Sequence, residues 1–135
     1  MKQAILALFL VLGTLLGLSP VLGQPDAWEA LLDSVYNAEG SEMAKPAYGV
    51  VSWPDCGEVG ACRYFAGEII RVHYKRWVKA GNPGDFIDYL HSWYAPPEAH
   101  PLNRHWGKNV RKFYERATGS AQFEMETTAV QAVRG

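Results

Sequence analysis

The feature that most limits what this chain can become is its start. Met1-Lys2-Gln3 is short and positive, Ala4 to Leu18 is almost unbroken apolar sequence, and Ser19-Pro20 followed by Val21-Leu22-Gly23 closes the run with small residues. This is the three-part pattern of a secretory signal peptide. The alternative is an uncleaved anchor, but the apolar run is shorter than the roughly 20 residues of a spanning helix and no stop-transfer pattern follows it. Cleavage after Gly23 is therefore expected, with no stable membrane insertion afterwards and a periplasmic or secreted destination. Removing residues 1–23 leaves about 110 of the 135 residues to fold, which suffices for one core and one cleft. The expected division is a signal peptide at 1–23, one domain at 24–118 and a flexible tail at 119–135.

Export changes the reading of the only two cysteines, Cys56 and Cys62. Outside the cytoplasm a closely spaced pair tends to oxidise, so a disulfide closing a small loop is expected. The alternatives are weaker on chemical grounds. A zinc site normally wants four ligands and no histidine lies near this pair, and neither thiol has a neighbouring base to activate it as a nucleophile. The four histidines, His73, His91, His100 and His105, have no metal-ligand spacing and contain no H-E-x-x-H run, which leaves them as surface or helix-cap groups. No metal or other cofactor is implied.

Charge is nearly balanced overall, with a formal net charge of −1, yet nine Lys or Arg fall between Arg71 and Arg116 against Asp85, Asp88, Glu98 and Glu115. Basic residues interleaved with Tyr74 and Trp77 would suggest nucleic acid in a cytoplasmic protein. In an exported one the accessible polyanions are cell-wall polymers, lipid head groups and extracellular sugars, so a nucleic-acid partner is excluded from the reading. For any single lysine the plain alternative is a solvated helix face.

Hydrophobic spacing predicts four helices and one irregular region. Trp28, Leu31, Leu32, Val35 and Tyr36 recur at helical intervals after Pro25-Asp26, giving a helix from about Asp26 to Glu39 that Gly40 ends. Ser41 to Gly60 carries prolines, glycines and the β-prone run Tyr48-Gly49-Val50-Val51-Ser52-Trp53, which predicts a loop with a small strand or hairpin. A long helix follows over about Ala61 to Ala80, with Phe65, Ile69, Val72 and Arg76 on one side and Ile70 and Trp77 beside them. Asp85 to Tyr94 makes a shorter helix stopped by Pro96-Pro97. Asn103 to Ala117 makes the last, with Trp106, Val110, Phe113 and Tyr114 facing inward. The expected fold is thus mainly α, with a short β segment after the first mature helix. Five Trp, seven Tyr and five Phe supply material for a core and for a sugar-binding groove.

Within that frame one residue is out of place. Glu39 stands eleven residues after Trp28 and four after Val35, which at 3.6 residues per turn returns it to the apolar face. Desolvation there disfavours its charged form, and so does the negative end of the helix dipole. A carboxyl so placed titrates high, as a general acid near neutral pH must. The plain alternative is a helix-end glutamate that turns to water or to Lys45.

The order Ala38-Glu39-Gly40, then Tyr48-Gly49-Val50-Val51-Ser52, then helices carrying Phe86-Ile87-Asp88-Tyr89-Leu90, Trp93-Tyr94-Ala95-Pro96 and Leu102-Asn103-Arg104-His105-Trp106, resembles the lysozyme-like superfamily. Within it, the likeness is to lytic transglycosylases and the small lysozyme-like domains of bacteria and phages, over roughly Asp26 to Arg116. The resemblance implies a small lysozyme-like helical domain in which a glutamate ends a helix and a glycine-containing β segment lines the glycan cleft. Peptidoglycan glycan strands would be the partner and the MurNAc-GlcNAc bond the target. The chain departs from the family pattern in two places. Gly40 follows the glutamate where a serine is usual, and Val50-Val51-Ser52 replaces a Leu-Met-Gln-like run.

A glycosidase normally needs two carboxylates. Glu42, Asp55 and Glu58 are available as a second, but no spacing selects one of them. A lytic transglycosylase needs only one, acting first as acid and then as base, and Glu39 is the single strong candidate. Tyr48, Ser52, Tyr94 and Asn103 are candidate sugar contacts. Each also has a structural reading, Tyr48 and Tyr94 as core aromatics, Ser52 as a turn residue and Asn103 as a helix cap. A function of another class stays open, namely a non-catalytic exported module of the same fold that binds glycan or an unidentified protein partner.

Overall fold

A computed structural model describes residues 26–44, 47–49 and 56–125. Four α-helices run through them: α1 (Ala27–Ala38), α2 (Val59–Lys79), α3 (Phe86–Tyr94) and α4 (Trp106–Thr118). Three single 3₁₀ turns join in, at Ser41–Met43, Ala47–Gly49 and Pro101–His105. No strand occurs among the described residues, and no helix there is long and apolar enough to cross a membrane. The fold class is mainly α, and the expected signal segment lies outside the described residues.

The helix starts follow from their caps. Asp26 accepts from the backbone N–H of Trp28 at 2.8 Å, and Asp85 accepts from those of Ile87 and Asp88 at 2.9 and 3.2 Å. Each satisfies donors that the first turn leaves unpaired. At its other end α1 passes through Glu39 into Gly40, whose φ of 104° is the left-handed conformation that ends many helices. The buried face of α1 is Ala30, Leu31, Leu32, Ser34 and Val35, and α4 packs against it more extensively than any other pair of elements meets.

Helix α2 turns a different face inward than its large apolar residues suggest. Cys62, Ala66, Gly67, Ile70, Tyr74 and Trp77 are buried, whereas Val72 is 46 % exposed and Arg76 is exposed. Gly67 lies on that buried face beside Leu32 of α1, where a Cβ would make ordinary van der Waals contact. Cys62 adds a covalent restraint through its disulfide to Cys56, with Cα atoms 5.0 Å apart.

The expected strand is not formed at its start. Tyr48 has φ 61° and ψ 10° and Gly49 has φ 63°, so both adopt a left-handed turn incompatible with extended backbone. Val50, Val51, Ser52 and Trp53 lie outside the described residues. The tail also differs from expectation. Phe123 is only 5 % exposed and closes an aromatic cluster, its ring centroid 5.3 Å from Phe86, 5.8 Å from Tyr74 and Tyr114, and 6.3 Å from Trp28. Arg111 fastens the same segment by donating to the Ala121 carbonyl at 2.7 Å while pairing with Asp85 and Asp88 at 3.0 and 2.6 Å. Packing therefore continues to at least Phe123, where the buried ring and the Arg111 hydrogen bond to the Ala121 carbonyl hold the segment together.

Candidate functional site

Glu39 does reach the interior. It is the last residue of the α1 spiral, with its backbone N–H bonded to the Val35 carbonyl at 3.0 Å, and it is half-buried. Its carboxyl meets two other elements. Oε1 accepts from the indole Nε1–H of Trp106, the first residue of α4, at 2.6 Å. On the other side the carboxyl lies against the backbone of Gly49, where a Cβ would stand 2.4 Å from Oε2 and 2.6 Å from Cδ. Only glycine leaves room there, and only glycine adopts φ 63° without strain. Among the described residues Glu39 has no ion pair. Burial raises its pKa, and the Trp106 hydrogen bond, which favours the carboxylate, opposes burial without cancelling it.

The turn that delivers Gly49 is held from three directions. Tyr48 is 1 % exposed, and its ring packs on Tyr36 at 4.9 Å. Its hydroxyl accepts from Arg63 at 2.8 Å, and its backbone carbonyl accepts from the hydroxyl of Tyr94. Arg63 is itself anchored to Glu29 and Asp33 of α1, both at 2.6 Å. A left-handed tyrosine costs on the order of 1–2 kcal/mol, and these contacts impose it. The strained turn is what sets the glycine against the acid.

Tyr94 comes from the last residue of α3. Its ring stacks on Trp106 with centroids 5.3 Å apart and planes 25° from parallel. Burial, with the neighbouring Glu39 charge second, pushes the phenol far above its ordinary value, so it stays a neutral donor. His91, one turn back on α3, lies 5.7 Å from the same indole. Its Nε2 donates to the backbone carbonyl of Asn103 at 2.7 Å, and the Asn103 amide donates to the Pro96 carbonyl at 3.0 Å.

The expected residues thus divide. Glu39, Tyr48 and Tyr94 come together, but both tyrosines use their hydroxyls within the protein. Asn103 ties the Pro96 turn to the 3₁₀ segment and caps no helix; His100 performs that role, accepting from Leu102 N–H at 3.2 Å. Glu58 stands exposed at the head of α2, Glu42 lies in the Ser41–Met43 turn, and Ser52 and Asp55 lie outside the described residues. The sequence reading had Trp106 as a core residue and passed over Arg63 and the role of Gly49. One signal for Trp106 was available, since a buried indole N–H needs an acceptor and Glu39 was the polar group already placed on an inward face. No protein-family model matches the chain, and no curated protein or solved structure matches it.

Proposed function

We propose that this protein is an exported enzyme that cleaves peptidoglycan at the MurNAc-GlcNAc bond, with Glu39 as its acid and then its base. The observation that carries the reading is the carboxyl itself. Burial raises its pKa, it has no ion pair among the described residues, and it is fixed between an indole N–H and a glycine that lacks the side chain to displace it. A glutamate that merely ended a helix would turn to solvent. The motif order along the sequence supports the same reading through its likeness to lytic transglycosylases and small lysozyme-like domains.

In this mechanism neutral Glu39 gives its proton to the glycosidic oxygen as the bond to the muramyl C1 breaks. The resulting carboxylate takes the proton of the muramyl C6 hydroxyl as that oxygen attacks C1. A 1,6-anhydro ring closes and Glu39 ends protonated, ready for another turn. One carboxylate suffices for this route. Water in place of the C6 hydroxyl would give hydrolysis with the same residue.

The reading is tested by incubating the oxidised mature protein with purified sacculi and identifying the soluble products by mass spectrometry. Anhydromuropeptides are expected, and Glu39→Gln should abolish them while preserving the fold and sacculus binding. General acid–base groups typically contribute 10²–10⁴-fold, so equal release by both proteins would end the reading. Glu39 also ties α1 to α4 through Trp106, the observation that favours a non-catalytic glycan- or protein-binding module. Binding by the wild type with no product of either kind would select that alternative.

A further inference from the structure

The Glu39 carboxyl is held asymmetrically, and the asymmetry has a chemical consequence. An indole Nε1–H can donate a hydrogen bond but cannot accept one. At 2.6 Å from Trp106 Nε1, Oε1 of Glu39 must present a lone pair along that line. A neutral carboxyl has one carbonyl oxygen and one hydroxyl, and the carbonyl oxygen is the natural acceptor. We infer that Trp106 is the positioning residue of the proposed acid, its donor-only N–H holding Oε1 as the acceptor and confining the transferable proton to Oε2, the oxygen set against Gly49. The inference rests on the reading of Glu39 as acid and base.

The indole is placed to impose this. Tyr94 stacks on one side of it, and the Tyr94 hydroxyl is bound to the carbonyl of Tyr48, the residue before Gly49. The Gly49 turn and the indole are therefore located by the same side chain. His91, tethered through Asn103, sits against the indole as well, and Gly107 makes room for it, since a Cβ there would lie 2.7 Å from His91 Nδ1. Trp106 itself is 5 % exposed, so its N–H has no solvent to turn toward.

The bond also changes strength as the reaction proceeds. Before proton transfer it joins a neutral donor to a neutral acceptor. Afterwards it joins that donor to a carboxylate, and charge-assisted hydrogen bonds are roughly twice as strong. An interaction that strengthens toward the transition state lowers the barrier, whereas one of constant strength does not. Trp106 thus offsets part of the desolvation that keeps the proton on Glu39, and releases the acid at the moment it is needed.

The test is a titration of the full mature protein by NMR, following the Glu39 side-chain ¹³C and the Trp106 indole ¹⁵N–H together. In the wild type both signals should move with one midpoint, and the indole signal should cease to titrate in Glu39→Gln. In Trp106→Phe the Glu39 midpoint should rise, because the lost N–H favoured the charged form. On peptidoglycan the same variant should lose about ten- to a hundredfold in kcat, the rate equivalent of a hydrogen bond to a charged group. KM should stay unchanged and the alkaline limb of the pH profile should move to higher pH. A merely structural tryptophan would lower the amount of folded enzyme and move neither midpoint nor limb. An indole signal blind to Glu39, or a midpoint that stays or falls in Trp106→Phe, overturns the inference. If Trp106→Phe does not fold, the paired wild-type titration and its Glu39→Gln control decide the matter. If the protein releases no product from sacculi, the proposed activity fails and the titrations still decide whether Trp106 governs the carboxyl.

Discussion

The two ends of the helix pair α1–α4 are built on opposite principles. Around the start of α1, Trp28, Tyr74, Phe86, Tyr114 and Phe123 meet at centroid distances of 5.1 to 6.4 Å, mostly in the edge-on or tilted arrangements that aromatic quadrupoles favour. Around its finish, a half-buried acid, a left-handed tyrosine and a glycine packed against a carboxyl occupy the equivalent place. One end gains free energy from each contact. The other spends part of it holding groups that would relax elsewhere if released, the condition in which strain is commonly found at functional sites. The contrast implies that substitutions at the Phe123 end lower stability without touching the proposed chemistry, whereas substitutions at the Glu39 end change that proposed chemistry at modest or even favourable cost in stability.

The largest effect is expected at the aromatic end. Phe123→Ala removes a buried ring from the cluster and should destabilise the domain by about 3–5 kcal/mol, measured by urea denaturation. Product release per folded molecule should be unchanged. A chain ended at Thr118 should lose at least as much, and a truncation that unfolds at the wild-type midpoint would break the comparison by showing that the tail contributes nothing. A smaller loss is expected from Cys56→Ser with Cys62→Ser, which opens a loop closed across a sequence separation of six. Chain entropy for so short a loop gives about 2 kcal/mol, or a fall in Tm of roughly 10 °C for a domain of this size. Mass spectrometry before and after reduction verifies the bond itself.

Gly49→Ala sharpens the contrast from the other side. The new methyl group must adopt a left-handed backbone, which costs about 1–2 kcal/mol, and it also lands on Glu39 Oε2. The carboxylate is the mobile partner, so it should swing away from Trp106 and relieve the clash. The expected outcome is a small loss of stability with a large loss of activity, the reverse of Phe123→Ala. The Trp106 indole ¹⁵N shift should move as its acceptor departs. Retained activity would mean that the glycine serves the turn and not the acid.

Much of the helical frame was legible in the sequence because its signals are local. Asp26 caps its helix through its own side chain, and Leu31, Val35 and Val110 fall on inward faces by spacing alone. The rotation of α2 was not legible, since the small residues Cys62, Ala66 and Gly67 make up part of its buried face and hydrophobic spacing gives weight only to what is large. The turn at Tyr48 misled for a related reason. A Tyr-Gly-Val-Val run has strand propensity, yet Arg63 and Tyr94, distant in sequence, bind the hydroxyl and the carbonyl of Tyr48 and enforce a conformation that no local preference favours. Glu39 could be placed because a polar residue at a helical interval on an apolar stripe is a local anomaly. Its partner Trp106 comes from another helix, and a helical pattern carries no information about which helix will face it.

The smallest expected effect tests the contrast most directly, because it concerns the free energy that Glu39 withholds from the fold. Its folded-state pKa is raised above the ordinary value of 4.5, chiefly by burial, so the native protein holds this proton more tightly than the unfolded chain does. Below pH about 4.5 both states are protonated and the group exacts no penalty. As pH rises past that point the unfolded chain ionises first, and stability falls until the native carboxyl has ionised too, after which the penalty is constant. Glu39→Gln cannot ionise and still offers an acceptor to Trp106. Its unfolding free energy relative to wild type should therefore be flat at acid pH, climb through the interval between the two pKa values, and level off above it. The remaining titrating groups are common to both proteins and cancel in the difference. Parallel curves from pH 4 to 8 would mean that the folded protein does not desolvate this carboxyl, and the site would then be another solvated helix end with no claim to chemistry.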